Sequence, residues 1–249
     1  MSKLTGKRAL VTGGGQGLGY AIVEHLLDAG ADVAIHYFSS EAGARELKKK
    51  ARRAEIFRAD LTKESEATAL VNDAAEFLGG LDILINNAGD LVQRRWIQEV
   101  DAEFWNRVMD INVTSMLWVT RAAVPWLEKA GKASIVNLSS LAGRKGGHPG
   151  ALVYSTAKGA VLTWTRALAN ELAPKGIRVN AVAPGLILGT RFHDTHTTDE
   201  AKKKTIEGIP LGRAGTPDDI ARAVVYLASE YDGFITGATL DINGGVYAA

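Results

Sequence analysis

The chain of 249 residues is 46% hydrophobic and 23% charged, a composition that can bury a sizeable core and excludes an intrinsically disordered protein. Lys plus Arg number 29 against 28 Asp plus Glu, a formal net charge of +1, so no global field exists to hold nucleic acid or an anionic membrane surface. With no cysteine and only 5 His, disulfides, thiolate metal sites and cysteine nucleophiles are excluded, and the chemistry must use hydroxyls, amines, carboxylates or a cofactor.

Residues 1–7 are polar and lead straight into an apolar strand pattern, with neither the apolar core of a signal peptide nor a run of membrane-spanning length. The cytoplasm is the expected location. Lys7–Thr12 reads as a strand, Gly13-Gly-Gly-Gln-Gly-Leu-Gly19 as a turn, and the apolar spacing from Ala21 to Leu27 as a helix. The unit then repeats, with a strand over Asp32–Tyr37, a charged helix over Glu41–Arg53 and a strand over Ala54–Ala59. A helix over Glu64–Leu78 and a buried strand over Leu81–Ile85 follow. The second half gives a long helical region over Asp101–Lys129, a strand over Ser134–Leu138, a helix over Ala151–Leu172 and a strand over Arg178–Ala183.

From Gly185 to Leu211 the rhythm changes to polar, irregular sequence with one candidate helix over Asp199–Glu207. Such a stretch inside a compact domain is usually a lid or binding loop, and residues 186–211 are read as the substrate loop. A last helix runs from Pro217 to Ser229 and a last strand from Ala238 to Ile242. Strands that alternate with long helices need crossovers and a parallel sheet covered on both faces. No Gly-, Pro- or Ser-rich linker divides the chain, so the expectation is one doubly wound α/β domain over 1–249, with about seven strands.

A glycine turn between strand and helix lets backbone N–H groups at the positive helix end approach a pyrophosphate. Gly13 would permit the tight turn, Gly17 the close backbone approach and Gly19 the packing of helix on strand. Alone this is a weak signal. Thr12-Gly-Gly-Gly-Gln-Gly-Leu-Gly19, Asn86-Asn-Ala-Gly89, Asn112, Ser140, Tyr154-Ser-Thr-Ala-Lys158 and Pro184-Gly185 together resemble, in order and spacing, the short-chain dehydrogenase/reductase family over essentially the whole chain. The resemblance implies a Rossmann-type fold, a nicotinamide dinucleotide cofactor and a catalytic set of Asn112, Ser140, Tyr154 and Lys158. It further implies Gln16, Leu18, Pro184 and Gly185 beside the cofactor, Asp60 and Leu61 near its adenine, Asn86, Ala88 and Gly89 along its ribose, and Ile187 and Thr190 near the nicotinamide. In the family Asn112 would help carry a water relay to the lysine, and the C-terminal Asp241-Ile-Asn-Gly-Gly245 strand would pack in a homotetramer.

The residues themselves support a proton-transfer site. Tyr154 and Lys158 are one helical turn apart and share a face, and a phenol of ordinary pKa about 10 is expected to be lowered by the neighbouring ammonium. Tyr154 would give a proton to a carbonyl oxygen or take one from an alcohol, and Ser140 would hydrogen-bond the same oxygen; Ser139 is the alternative serine. At the end of the second strand, Tyr37 stands where an acidic residue would select NAD, while Ser39 and Ser40 offer hydroxyls and N–H groups at a helix start. NADP(H) is therefore preferred, with NAD as the alternative.

Arg95, Arg191 and His193, joined by Arg94, Arg144, Lys145, His148 and His196, cluster in the segments that should border the pocket. With Ser140 and Tyr154 they suggest a small hydroxylated or acidic carbonyl substrate, such as a keto sugar acid. The rival is a 3-oxoacyl-thioester reductase, and a rival of another class is a nicotinamide-sensing protein without catalysis, which would not need the Tyr154 proton donor. His193 and His196 lack a third ligand in a recognisable zinc pattern, so no metal is expected.

Overall fold

A computed structural model describes residues 4–191, 195, 197–229 and 233–248. The apolar runs become a 7-stranded parallel sheet in the order β3-β2-β1-β4-β5-β6-β7. The inner strands β1 (Arg8–Val11), β2 (Asp32–Tyr37), β4 (Ile83–Asn86), β5 (Ala133–Leu138) and β6 (Ile177–Pro184) are almost wholly buried. The edge strands β3 (Ala54–Arg58) and β7 (Thr239–Ile242) are half-buried. Strands covered on both faces must read as continuous apolar runs, which is why their sequences lack a polar alternation.

Successive side chains still point to opposite layers. Ile83 and Ile85 pack with Ile22, Val23 and Leu26 of α1 (Gly17–Asp28), with Leu47 of α2 (Glu41–Lys50) and with a C-terminal helix over Pro217–Ala228. Leu84 between them joins the other layer, built from α3 (Glu64–Leu78), α5 (Ser115–Ala130) and α7 (Leu152–Leu172). The strand order turns back between β1 and β4, and ligands on such sheets bind at the carboxyl ends of the strands beside that switch point.

Three departures from the sequence-based expectations affect the site. The expected helix over Asp101–Lys129 is α4 (Ala102–Met109), then a π-helical turn over Asp110–Thr114, then α5. A short helix, α6 (Leu141–Lys145), which was not anticipated, follows β5; Ser140 caps it by accepting from the Ala142 N–H at 3.1 Å, and Gly146 ends it with φ +89°. The charged helix ends at Lys50 rather than Arg53, with Ala51 already extended. The candidate helix in the polar segment does form, as α8 (Asp199–Glu207), capped by Thr198, and α9 denotes the Pro217–Ala228 helix.

Candidate active site

The glycine turn joins β1 to α1. Gly13 has φ +65°, and its N–H donates to His36 Nδ1 at 2.9 Å. A Cβ at Gly19 would stand 2.1 Å from the Gly13 carbonyl oxygen, so the helix packs on the turn only because that position carries no side chain. A Cβ at Gly17 would instead face Thr190 across the cavity at 3.7 Å. The helix start at Gln16 has no side-chain cap and no acidic residue in its first turn, which leaves its positive end for an anion.

His36, which the sequence reading passed over, anchors this turn. It is 2% exposed, and with Nδ1 accepting from Gly13, Nε2 carries the proton and donates to the Ala59 carbonyl at 3.1 Å. Burial lowers its pKa to about 4. A His depressed on folding contributes stability that is complete above its ordinary value near 6.5 and is lost as pH falls toward about 4. The interval is worth about 3 kcal/mol at most. Urea midpoints should therefore hold between pH 8 and 7 and drop between about pH 6 and 4. A His36→Asn protein should show a smaller drop over that interval; an equal drop would remove His36 as the cause.

One cavity of about 1250 Å³ runs from this turn along the carboxyl ends of the strands, lined by Gly13, Gln16, Gly17, Leu18, Gly19, Ser39, Ser40, Asp60, Leu61, Ala88, Gly89, Ser140, Tyr154, Lys158, Pro184, Gly185, Ile187 and Thr190. Two expected cofactor residues lie elsewhere. Tyr37 is buried in the core on the α2 side of the sheet, and its neighbour Phe38, 54% exposed, lines the cavity with the Arg58 guanidinium 5.6 Å over its ring. Asn86 is buried and donates to Thr120 Oγ1 at 3.0 Å and Asn137 Oδ1 at 2.9 Å, bracing β4 against β5 and α5. Asn87 reaches the glycine turn in its stead, with Nδ2 donating to the Thr12 and Gly13 carbonyls. Asp60 both lines the cavity and shapes its own loop: the Thr62 hydroxyl and N–H donate to Oδ1 and hold its carboxyl below the ordinary range.

At the far end, β5 delivers the two serines and α7 the tyrosine and lysine. Ser139 Oγ donates to the Lys158 carbonyl at 2.8 Å, a structural tie. Ser140 is the serine hydrogen-bonded with the Tyr154 phenol. The Lys158 side chain is 4% exposed, and Nζ donates to the Leu138 carbonyl at 2.9 Å while lying 5.7 Å from the Tyr154 ring centre. Phe104 and Val108 of α4 pack with Val153, and Tyr154 packs against this cluster.

The expected lowering of the phenol by the ammonium is corrected. Burial pushes Tyr154 up to about 12, against the Ser140 hydrogen bond and reinforced by the charge of Asp90. Burial also pulls Lys158 down to about 8, opposed by Asp90. The cost of taking both groups out of water outweighs their proximity. Asn112 does not line the cavity; it is 2% exposed in the π turn, with Oδ1 accepting from the Asp90 N–H at 3.2 Å and Nδ2 donating to the Asp90 and Val108 carbonyls at 2.7 and 2.9 Å.

At the mouth, Arg95 turns away from the cavity. It stacks 4.4 Å over Phe104 and pairs with Asp101 at 3.1 Å. Arg94 lines the cavity instead, alongside Lys145, His148 and Arg191. Arg144 pairs with Asp241 at 3.0 Å. Val92, in the same segment as Arg94, has φ +65°, a strained conformation for a β-branched residue. His193 and His196 lie outside the described residues, among which no group of three or more His, Asp or Glu could hold a metal.

A family model described as enoyl-(acyl carrier protein) reductase matches residues 13–247. The chain belongs to the short-chain dehydrogenase/reductase family. An uncharacterised oxidoreductase of Methylorubrum extorquens is 40% identical over 99% of this chain and 100% of its own length. Glucose 1-dehydrogenase 2 of Bacillus subtilis is 37% identical over 98% of this chain and 95% of its own. Among solved structures, a 7α-hydroxysteroid dehydrogenase complexed with NADH and 7-oxo glycochenodeoxycholic acid is 32% identical with a TM-score of 0.92, covering 98% of this chain and 95% of that one.

Membership in the short-chain dehydrogenase/reductase family makes the protein an oxidoreductase. No helix among the described residues is long and apolar enough to cross a membrane. Beyond the motif residues, the site includes His36, Phe38, Asp90 and Arg94, none of which carries a motif signature. Only the alternation of β2 could have pointed to Phe38 over Tyr37, and only the folded loop could separate Arg94 from Arg95.

Proposed function

We propose that the protein transfers hydride between NADP(H) and a small polar carbonyl compound or its secondary alcohol, with a keto sugar acid as the substrate type. The observation that carries this is the Ser140-bonded phenol of Tyr154, set beside Lys158 in the same cavity as an uncapped helix start. The cavity fits a dinucleotide: the glycine turn presents backbone without side chains, and a Cβ at Gly89 would strike Asn112 Oδ1 at 2.7 Å and Lys158 Nζ at 2.9 Å. Gly13, Gly17, Gly19, Ala88 and Gly89 would hold the pyrophosphate and ribose, and Ile187 and Thr190 the nicotinamide end. When bound, the nicotinamide supplies or accepts the hydride. Tyr154 donates its proton to the carbonyl oxygen in reduction and recovers it in oxidation. Ser140 hydrogen-bonds that oxygen as charge develops, and Lys158 and Asn112 complete the catalytic set, Lys158 by its charge and Asn112 by supporting a relay through water.

The preference for NADP(H) rests on the want of a carboxylate at Tyr37, Phe38, Ser39 and Ser40 and on the Arg58 cation over Phe38. The expected result is a kcat/KM for NADPH at least tenfold above that for NADH; an advantage for NADH would reverse the assignment. A cytoplasmic homotetramer completes the reading, and sedimentation of the purified protein tests the assembly.

For the substrate, the cations of Arg94, Lys145 and Arg191 at the mouth favour an anionic partner. With a keto sugar acid, Arg94→Ala and Arg191→Ala should each lower kcat/KM by about tenfold or more, in the range of a charge-assisted hydrogen bond. Arg95→Ala should leave it within about twofold, because that guanidinium is committed to Asp101 and Phe104. The 36% identity to a 3-oxoacyl-[acyl-carrier-protein] reductase of Chlamydia muridarum, over 98% of this chain, supports the rival 3-oxoacyl-thioester reductase. A preference for the thioester, with both arginine variants unaffected, would establish it.

A further inference from the structure

Beyond β7 the chain folds into a closed turn over residues 243–247 that reaches the cavity. The side chain of Asn243, 7% exposed, ties the turn shut: Oδ1 accepts from the N–H groups of Gly245 and Tyr247 at 3.0 and 3.2 Å, and Nδ2 donates to the Tyr247 carbonyl at 2.9 Å. Gly244 and Gly245 take φ +68° and +94°, which lets the backbone double back. Of these five residues, Val246 is the one that lines the cavity.

The turn is held from three directions. The Leu211 N–H, at the end of the substrate loop, donates to the Gly244 carbonyl at 3.1 Å, and a Cβ on Gly244 would stand 2.5 Å from the Ile209 side chain. Asn243 crosses Gly185 so closely that a Cβ on that glycine would stand 2.9 Å from Asn243 Cα. The Arg144 guanidinium lies 5.8 Å over the Tyr247 ring and pairs with Asp241 of β7 at 3.0 Å, each of the paired side chains 14% exposed. Arg144 belongs to α6, a helix of little more than one turn that Ser140 caps. Val246 thus stands between the helix that opens at Ser140 and the end of the substrate loop, at the carbonyl end of the cavity.

We propose that Val246 is a specificity-determining residue whose side chain sets the room left for the carbon chain of the substrate, so that the site takes short acidic carbonyl compounds and turns away longer ones. The proposal rests on the reading of this cavity as the site of an acidic carbonyl substrate. A β-branched side chain is stiff at χ1, and a turn packed against a loop, a strand end and a helix cannot retreat without moving all three. The wall it belongs to is apolar, since Leu141, Ala142 and Leu186 line the cavity with it. Bulk, rather than a hydrogen bond, is therefore what this wall discriminates.

The test measures kcat and KM for wild type, Val246→Ala and Val246→Phe with two series of probes, straight-chain 2-oxo acids and 2-keto sugar acids, each lengthened one carbon at a time. Val246→Ala should raise kcat/KM for the longest reacting member relative to the shortest by about tenfold, and Val246→Phe should lower that ratio by about as much, the effect of a methylene or two in a packed pocket. The change should fall mainly on KM, and nucleotide Kd should not follow chain length. Ratios within about twofold of wild type in both variants, or a loss shared equally by every chain length, would overturn the proposal. Val246→Leu repeats the comparison if Val246→Phe fails to fold. A wild-type protein inert toward both series would overturn the underlying reading, and the proposal with it.

Discussion

Tyr154→Phe is expected to lose roughly two or more orders of magnitude in turnover while still binding cofactor, because it removes the one transferable proton and leaves the ring in its packing against Phe104, Val108 and Val153. A phenol pushed up to about 12 by burial is a willing proton holder but a reluctant donor. The Ser140 hydrogen bond opposes that shift, so Ser140→Ala should also slow turnover, by less than Tyr154→Phe. Nucleotide affinity measured by fluorescence titration separates the two explanations of a dead variant: lost turnover with intact binding supports the role, and lost binding points to a collapsed cavity. Near-normal turnover in Tyr154→Phe would rule the mechanism out.

Gly19→Ala is expected to weaken dinucleotide binding by more than tenfold and to cost stability as well. The added methyl would stand 2.1 Å from the Gly13 carbonyl oxygen and 2.6 Å from Asn87 Nδ2. Neither the turn nor the helix start can yield without moving the other, since Asn87 Nδ2 donates to Thr12 and Gly13 and the Gly13 N–H is held by His36. Overpacking of this kind costs about 1–3 kcal/mol. A thermal midpoint and a nucleotide Kd measured on the same protein check both halves; retention of wild-type affinity would mean that α1 is free to shift.

The parts of this architecture that were legible in the sequence are those with a repeating physical cause. Buried parallel strands must be apolar throughout, so the strand runs could be marked to within a residue or two, as with β2, whose Asp32–Tyr37 limits were anticipated in full. Motif glycines were legible because backbone approach forbids a side chain. What escaped was decided by neighbours distant in sequence. Nothing local distinguishes Asn86, turned to Thr120 and Asn137, from Asn87, turned to the glycine turn. Arg94 and Arg95 likewise separate only because Phe104 and Asp101 draw the second away. The phenol's shift was misjudged because spacing along a helix reports proximity but not desolvation, and the ammonium turns to the Leu138 carbonyl.

The π turn between α4 and α5 makes chain length itself a functional parameter of this enzyme. Each residue in a helix advances the chain by about 1.5 Å and turns it by about 100°, and a π turn is a helix that accommodates one residue more than an α-helix would. Because the π turn absorbs that extra residue locally, deleting one residue from Asp110–Thr114 would let the two flanks merge into a continuous α-helix with their alignment largely kept. What would be lost is the turn's own outward bulge, which brings Asn112 to the Asp90 backbone and Asp110 and Ile111 to the cavity wall. The extra residue thus serves the cavity rather than the helix, and the loss of a single codon would leave the scaffold standing while withdrawing part of the wall beside Tyr154 and Lys158.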